Sequence, residues 1–340
     1  MLSNQAPPVA IHLILFSSFC LSIQLVVGGL VGIGLIDSGP LTLTMQQVAS
    51  TTRSKLGPAL IVCANAGQLP LPDNSVDLIV TSPPYFALRH YKDGSQTYAG
   101  QIGAETTPAE FLEALWAVTA EFRRVLKPTG SFFLNMMDKY NSAASNQNGL
   151  GATLQGGSHE SNRIGRGRTV DSVPVKSLIG LPWRYALGLL DGQACGQWLL
   201  RSDMIWHKTN GMPDPTRDRA QRKHEYLFHF TKRSQYYSDP EFVGAAQSVL
   251  SLPTEALRTP PHMTVKHPAP FPLGIPSQLI QGWCPPGGVV LDGFGGSGTT
   301  ALAARAQGRV GISVDLSLDY GKLASWRCDD PTQLGKAQIK

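Results

Sequence analysis

The chain has 340 residues, of which 42% are hydrophobic and 16% charged, with a net charge of +5. That is enough apolar material for one large domain or two smaller ones, and it excludes a disordered, collagen-like or disulfide-dense protein. The five cysteines, Cys20, Cys63, Cys195, Cys284 and Cys328, form no Cys-x-x-Cys pair, so reduced thiols, no zinc site and a cytoplasmic location are expected.

Residues 1–45 differ from the rest of the chain. Between Leu13 and Ile36 there is no charged residue, and Leu, Ile, Val and Gly dominate. By length and apolarity this stretch is a membrane-helix candidate. The first basic residue, Arg53, comes after it, so it does not read as a secretory leader. Three readings stand: translated upstream sequence with the working protein beginning at Met45, a membrane anchor, or an extra buried helix.

Leu60 to Cys63 predicts a strand, followed by Asn65-Ala66 and a turn. Val76-Asp77-Leu78-Ile79-Val80 predicts a second, buried strand. It runs into Thr81-Ser82-Pro83-Pro84-Tyr85. The two prolines cannot donate to a ladder and fix their own φ, so the turn is stiff, with a hydroxyl before it and a ring after it. Rigid polar groups at the carboxyl end of a strand are where open α/β sheets hold their ligands. Phe86 to Gly100, aromatic and polar, reads as a loop over that site.

Thr107-Pro108-Ala109-Glu110 opens a helix, with Thr107 as N-cap, Pro108 at the first position and Glu110 completing a capping box. Phe111, Leu112, Leu115, Val118, Phe122 and Val125 keep a helical period along it. Lys127-Pro128-Thr129-Gly130 stops the helix, and Ser131 to Asn135 predicts the next strand. This β-α-β unit implies a parallel sheet.

Residues 141–172 are rich in Asn, Ser, Gly and Gln and carry Arg163, Arg166 and Arg168. They are too polar to bury much surface, and read as a flexible insertion or as a basic flap that orders on a polyanion. A helix is predicted over 175–190, and strands over Trp198–His207 and Glu225–Thr231. Lys208, Arg217, Arg219, Arg222 and Lys223 lie between these strands, with Tyr236 and Tyr237 close behind. From Arg201 to Tyr237 there are eight basic and four acidic residues. That mixture suits a phosphate backbone and an unstacked base, and it also suits a plain solvated face. His207, His224 and His229 fit no metal-ligand spacing and read as structural. Residues 241–270 are proline-rich and read as weakly structured; a helix is expected from about 276 to 283 and a strand at Val289–Leu291.

That last strand ends in Asp292-Gly293-Phe294-Gly295-Gly296-Ser297-Gly298-Thr299-Thr300, before the helix former Ala301-Leu302-Ala303-Ala304. Strand, glycine-rich turn, helix is the nucleotide-binding arrangement of doubly wound sheets. The next strand, Val310 to Val314, ends in Asp315, 23 residues after Asp292, placed to accept ribose hydroxyls. No Lys follows Gly298, so a P-loop is excluded. An acid at the strand end repels phosphate and suits a cationic amino group. S-adenosylmethionine has that group, a ribose and no phosphate.

Together the two stretches resemble the amino-methyltransferases of bacterial and phage type that modify exocyclic nitrogens in DNA. Thr81 to Tyr85 looks like their catalytic motif and Asp292 to Thr300 like their cofactor motif; His267-Pro268-Ala269-Pro270-Phe271-Pro272 is similar to the segment that precedes the latter. Catalytic motif first and cofactor motif last matches the permuted β class, over roughly residues 60–320. The resemblance implies a class I S-adenosylmethionine-dependent fold, α/β and doubly wound with a mostly parallel sheet, and a basic target-recognition insertion. It implies a methyltransferase domain over 46–325, with a catalytic half at 58–235, a short target-recognition region at about 236–265, a cofactor half at 266–325 and a tail at 326–340. Catalysis falls to Ser82, Pro83, Pro84 and Tyr85. S-adenosylmethionine falls to Asn65, Pro270, Phe271, Asp292, Phe294, Gly296, Gly298, Thr299, Thr300 and Asp315. The family's usual Gly-Asp before the catalytic strand is Ala64-Asn65 here, which weakens the expected acidic contact to the adenine. The implied partners are double-stranded DNA, through Arg163, Arg166, Arg168 and the basic residues of 208–223, and a cognate restriction endonuclease; no metal is implied.

An exocyclic amine is a weak nucleophile because its lone pair is delocalised into the ring. Acceptors fixed around it, here the Ser82 hydroxyl and the Pro83 carbonyl, favour its pyramidal form, and Tyr85 can stack on a base flipped out of the duplex. Ring-carbon methylation would require a Pro-Cys nucleophile, and only the reverse order, Cys284-Pro285, occurs. Ser before Pro-Pro-Tyr favours N4 of cytosine in this family, with N6 of adenine as the alternative. A catalytically degenerate DNA-binding module and an RNA or small-molecule methyltransferase stand as further readings.

Overall fold

The computed structural model describes residues 11–12, 22–27, 30–35, 42–43, 56–87, 92–93, 96–97, 101–141, 173–211, 213, 216–257, 259–261, 263, 265 and 270–339. Arg163, Arg166, Arg168, Met45 and most of the expected loop over the site lie outside them.

Ten strands form one sheet: β1 (Ser22–Val27), β2 (Leu30–Leu35), β3 (Ala59–Cys63), β4 (Val76–Thr81), β5 (Leu126–Met136), β6 (Leu199–Lys208), β7 (His224–Thr231), β8 (Val249–Leu252), β9 (Val289–Asp292) and β10 (Val310–Asp315). Their spatial order is β8-β6-β7-β5-β4-β9-β10-β3-β1-β2. The five central strands, β5, β4, β9, β10 and β3, are parallel, whereas β7 joins β5, and β1 joins β3, antiparallel. The sheet is therefore the mostly parallel, doubly wound one expected. The helices are α1 (Pro108–Val125), α2 (Leu181–Leu190), α3 (Pro240–Ala245), α4 (Gly274–Trp283), α5 (Thr299–Ala306), α6 (Leu318–Asp329) and α7 (Pro331–Ile339).

Successive residues of a strand point to opposite faces, and the central strands use that alternation to build two cores. Leu60, Val62, Ile79, Phe132, Leu134 and Leu291 pack under α1 and α2 on one face. Ala59, Ile61, Leu78, Val80, Phe133 and Val290 pack under α4, α5, α6 and α7 on the other. Strand β4 crosses through α1 to β5 on one side, and β9 crosses through α5 to β10 on the other. The chain thus diverges between β4 and β9, and a sheet of this kind opens its binding crevice at the carboxyl ends of such a pair.

The capping box at α1 forms as the sequence requires: Thr107 Oγ1 accepts from the Glu110 N–H at 3.2 Å, and Glu110 Oε2 accepts from the Thr107 N–H at 3.0 Å. Four expectations are corrected. The described residues between Leu13 and Ile36 that have regular structure are strands, β1 and β2, and not a helix; among the described residues no helix is long and apolar enough to cross a membrane. The helix expected from residue 175 begins at Leu181, because Pro182 suits a first turn and Asp138, distant in sequence, caps it. The weakly structured 241–270 region contains the end of α3 and all of β8. The expected tail ends in α7, whose Leu334 and Ala337 are buried against α5 and α6.

Candidate active site

Strands β4 and β9 run side by side, with Leu78 opposite Val290 and Ile79 opposite Leu291. Their ends therefore emerge together. The Thr81 hydroxyl donates to Asp292 Oδ1 at 2.5 Å across this junction, and the Thr300 hydroxyl donates to Asp292 Oδ2 at 2.7 Å. The Phe294 N–H also donates to Asp292 Oδ1, at 3.1 Å. One carboxylate thus ties the proline-stiffened turn to both arms of the glycine-rich turn, although more than 200 residues separate them. Asp292 is 2% exposed, and burial pushes its carboxyl up to about 6, against the pull of its three donors. Expected to face a cationic amino group, it is instead enclosed as the tie between the two motifs.

Glycine is required at two points of the second turn. Gly298 has φ +72, and a Cβ there would lie 2.8 Å from the Cβ of Ala324; a Cβ at Gly295 would lie 1.9 Å from Ser313 Oγ. The turn therefore packs directly onto β10 and α6. Gly296 donates its N–H to Asp315 Oδ2 at 2.9 Å, and Ser317 donates its own to Asp315 Oδ1 at 2.9 Å. Asp315 is half-buried at the end of β10, and each oxygen of a carboxylate can accept more than one hydrogen bond. Cys63 pairs with Asp315 in the ladder, which brings the exposed Asn65 to the same edge, its Oδ1 accepting from the Gly67 N–H at 2.8 Å. Pro270, Phe271 and Phe294 are half-buried, and the Phe294 ring meets Phe122 edge-on. Thr299 is buried and accepts from Arg327 Nη1 at 2.6 Å. Arg327, which falls in the expected tail, also donates to Ser297 Oγ at 3.0 Å. It braces the turn from behind, and burial lowers it to about 10.

In the proline-stiffened turn Pro83 is buried, and Ser82, Pro84 and Tyr85 are half-buried. The Ser82 hydroxyl lies 3.4 Å from the Tyr85 hydroxyl, which donates to Glu225 Oε2 at 2.5 Å. Lys208 Nζ donates to the other oxygen of Glu225 and sits over the Trp206 ring at 4.8 Å. Sequence reasoning does not find Glu225; its signal is no more than a single acid near the start of a largely apolar and aromatic strand.

The predicted DNA-contact residues separate into two groups. Lys208 is turned inward onto Glu225, and the Arg219 guanidinium stacks on the Tyr140 ring at 3.7 Å. Arg217 and Lys223 are exposed, and Arg222 is partly so. Among the described residues no group of three His, Cys, Asp or Glu side chains could hold a metal ion.

A family model described as DNA methylase, of the N6/N4 methyltransferase type, matches residues 76–325. Over 262 residues the chain is 35% identical to the Type II methyltransferase M.SmaI of Serratia marcescens, covering 74% of this chain and 83% of that protein. Over 263 residues it is 36% identical to the Type II methyltransferase M.XycI of Xanthomonas campestris pv. cyanopsidis, covering 76% and 82%. Among solved structures, the PvuII DNA methyltransferase, described as cytosine-N4-specific, aligns with a TM-score of 0.59 at 21% identity, over 84% of this chain and 92% of that chain.

Proposed function

The chain belongs to the DNA methylase family of N6/N4 type, and from that premise we propose that it methylates the exocyclic N4 of cytosine at a specific site in double-stranded DNA, with S-adenosylmethionine as donor. The observation that carries this reading is the Thr81–Asp292–Thr300 tie, which puts Ser82 to Tyr85 beside the glycine-rich turn. The turn suits the donor by its place: it follows β9 beside the proline-stiffened turn, and Asp315 and Asn65 offer acceptors at the same sheet edge. The donor, when bound, supplies an electrophilic sulfonium methyl group. The chain's own residues do the rest. Ser82 and the Pro83 carbonyl accept hydrogen bonds from the amine and so favour its nucleophilic form. Tyr85 receives the extruded base, and the exposed Arg217 and Lys223 hold the backbone of the duplex.

Cytosine is favoured because Ser82 stands first in the Pro-Pro-Tyr motif, the form associated with N4 chemistry in this family. The PvuII enzyme of the same fold acts there too. A cognate restriction endonuclease is the partner this reading implies, since M.SmaI and M.XycI are type II methyltransferases. Incubating unmethylated bacterial DNA with tritiated S-adenosylmethionine, then digesting it to nucleosides, tests the reading. Label is expected in N4-methylcytosine and is lost in the Ser82→Ala, Tyr85→Ala double variant. Label in N6-methyladenine would overturn the base assignment, and transfer persisting in the double variant would overturn the site.

A further inference from the structure

Glu225 is the second residue of β7 and 5% exposed, followed by Tyr226, Leu227 and Phe228. A carboxylate so enclosed is tolerated only when its oxygens are bonded and its charge is met. Both conditions hold here: the Tyr85 phenol fills one oxygen and the Lys208 ammonium the other. Lys208 closes β6, and its N–H donates to the Lys223 carbonyl at 2.7 Å. The ion pair therefore sits at the root of the segment that carries Arg217, Arg219, Arg222 and Lys223.

Resting on the methyltransferase reading above, we propose that Glu225 is a positioning residue for the catalytic turn. It pins Tyr85 by the hydroxyl, so the ring keeps the tilt at which it receives an extruded base. Lys208 is the counter-charge of this pin and does not contact phosphate. The prolines fix the backbone before Tyr85 but leave the side chain free to turn about its own bonds; a bond at the far end of the ring removes that freedom. The Ser82 hydroxyl, 3.4 Å from the same phenol oxygen, moves with it, so a loosened ring also loosens the acceptor nearest the amine. Misplacement of such groups by about 1 Å lowers a rate on the order of 100-fold.

The experiment compares Tyr85→Phe, Glu225→Met and their double variant in steady-state methyl transfer to unmethylated DNA. A glutamine would keep an oxygen able to accept from the phenol, so methionine is used to remove the acceptor; because Glu225→Met strands the Lys208 ammonium, Glu225→Met with Lys208→Met is the variant that removes the acceptor and both charges together. Each is expected to lower kcat on the order of 100-fold with KM for DNA nearly unchanged, and Tyr85→Phe with Glu225→Met is expected to be no worse than either alone. Multiplicative losses in that double variant, or near-wild-type turnover in Glu225→Met with Lys208→Met, overturn the proposal. A second readout is independent of activity. In protein labelled with carbon-13 at the tyrosine ζ position, the Tyr85 resonance is assigned by its loss in Tyr85→Phe and is expected to shift in Glu225→Met with Lys208→Met; an unmoved resonance overturns the pin. A wild type that transfers no methyl group sinks the methyltransferase reading, while the resonance still decides the hydrogen bond.

Discussion

Asp292 shows how a single side chain can serve two turns at once, and at what cost. Burial raises its carboxyl to about 6, so the folded chain binds a proton more tightly there than the unfolded chain, whose aspartates titrate near 4. Between those values the folded state holds the extra proton, and the contribution of this group to stability falls as pH rises, reaching its full penalty above about 6. Asp292→Asn removes that titration while keeping an acceptor for Thr81 and Phe294. Urea unfolding of the two proteins at a series of pH values is expected to show the variant gaining stability relative to wild type from pH 4 to 6; a pH-independent difference would refute the assignment. Gly298→Ala acts on the same turn by sterics. A left-handed backbone costs a non-glycine residue about 1–2 kcal/mol, and the new Cβ would press on Ala324. A lower urea midpoint and weaker donor binding by calorimetry are both expected. At this scale the motifs themselves are legible in the sequence, since the prolines of 83–84 and the glycines of 295–298 announce backbone constraints. Their partners are not. Glu225 lies 140 residues from Tyr85 and Asp138 lies 42 from Gly180, and no local pattern encodes such a bond.

Elements are most legible where they carry their own signals. Helix α1 has cap, proline and periodicity within one segment, and it forms where predicted. Helix α2 lacks a cap of its own: Gly180 is its N-cap residue with φ +81, and the cap is supplied by the Asp138 carboxylate, which accepts from the Gly180 and Leu181 N–H groups at 3.0 and 3.1 Å. With no local stop signal, periodicity alone places the start of this helix too early. The same carboxylate lies just beyond β5, so it joins a central strand to a helix of the first core. Asp138→Ala is expected to leave three N–H groups, those of Lys139, Gly180 and Leu181, without this acceptor and to lower stability by about 2 kcal/mol, read as a drop in urea midpoint at constant slope. Asp138→Asn, which retains one acceptor oxygen, is expected to recover part of it. An alanine variant as stable as wild type would show that the helix start is held by packing alone.

At the scale of the whole molecule, the two motifs, Thr81 to Tyr85 and Asp292 to Thr300, lie on the two sides of a topological divide, and the sheet closes the distance between them. Motif order makes this arrangement legible, while composition cannot resolve the basic run of 201–237 into separate roles. The fold sorts it: Lys208 is spent on Glu225 and Arg219 on Tyr140, whereas Arg217 and Lys223 remain exposed. Each phosphate that a cation neutralises releases condensed counterions, so the slope of log affinity against log salt shrinks by about 0.9 for each such cation removed. Arg217→Ala and Lys223→Ala are each expected to reduce the slope by about that amount and to weaken binding alike on all sequences. Lys208→Met is expected to leave the slope unchanged while lowering turnover. Arg219→Ala is expected to change the slope less than Arg217→Ala does, because its guanidinium is already committed to the face of Tyr140, on the stem leading out of β5. Binding isotherms on a duplex at four salt concentrations separate these outcomes. Equal slopes for wild type, Arg217→Ala and Lys223→Ala would mean that the exposed basic residues of this hairpin face solvent and that the duplex is held elsewhere on the chain.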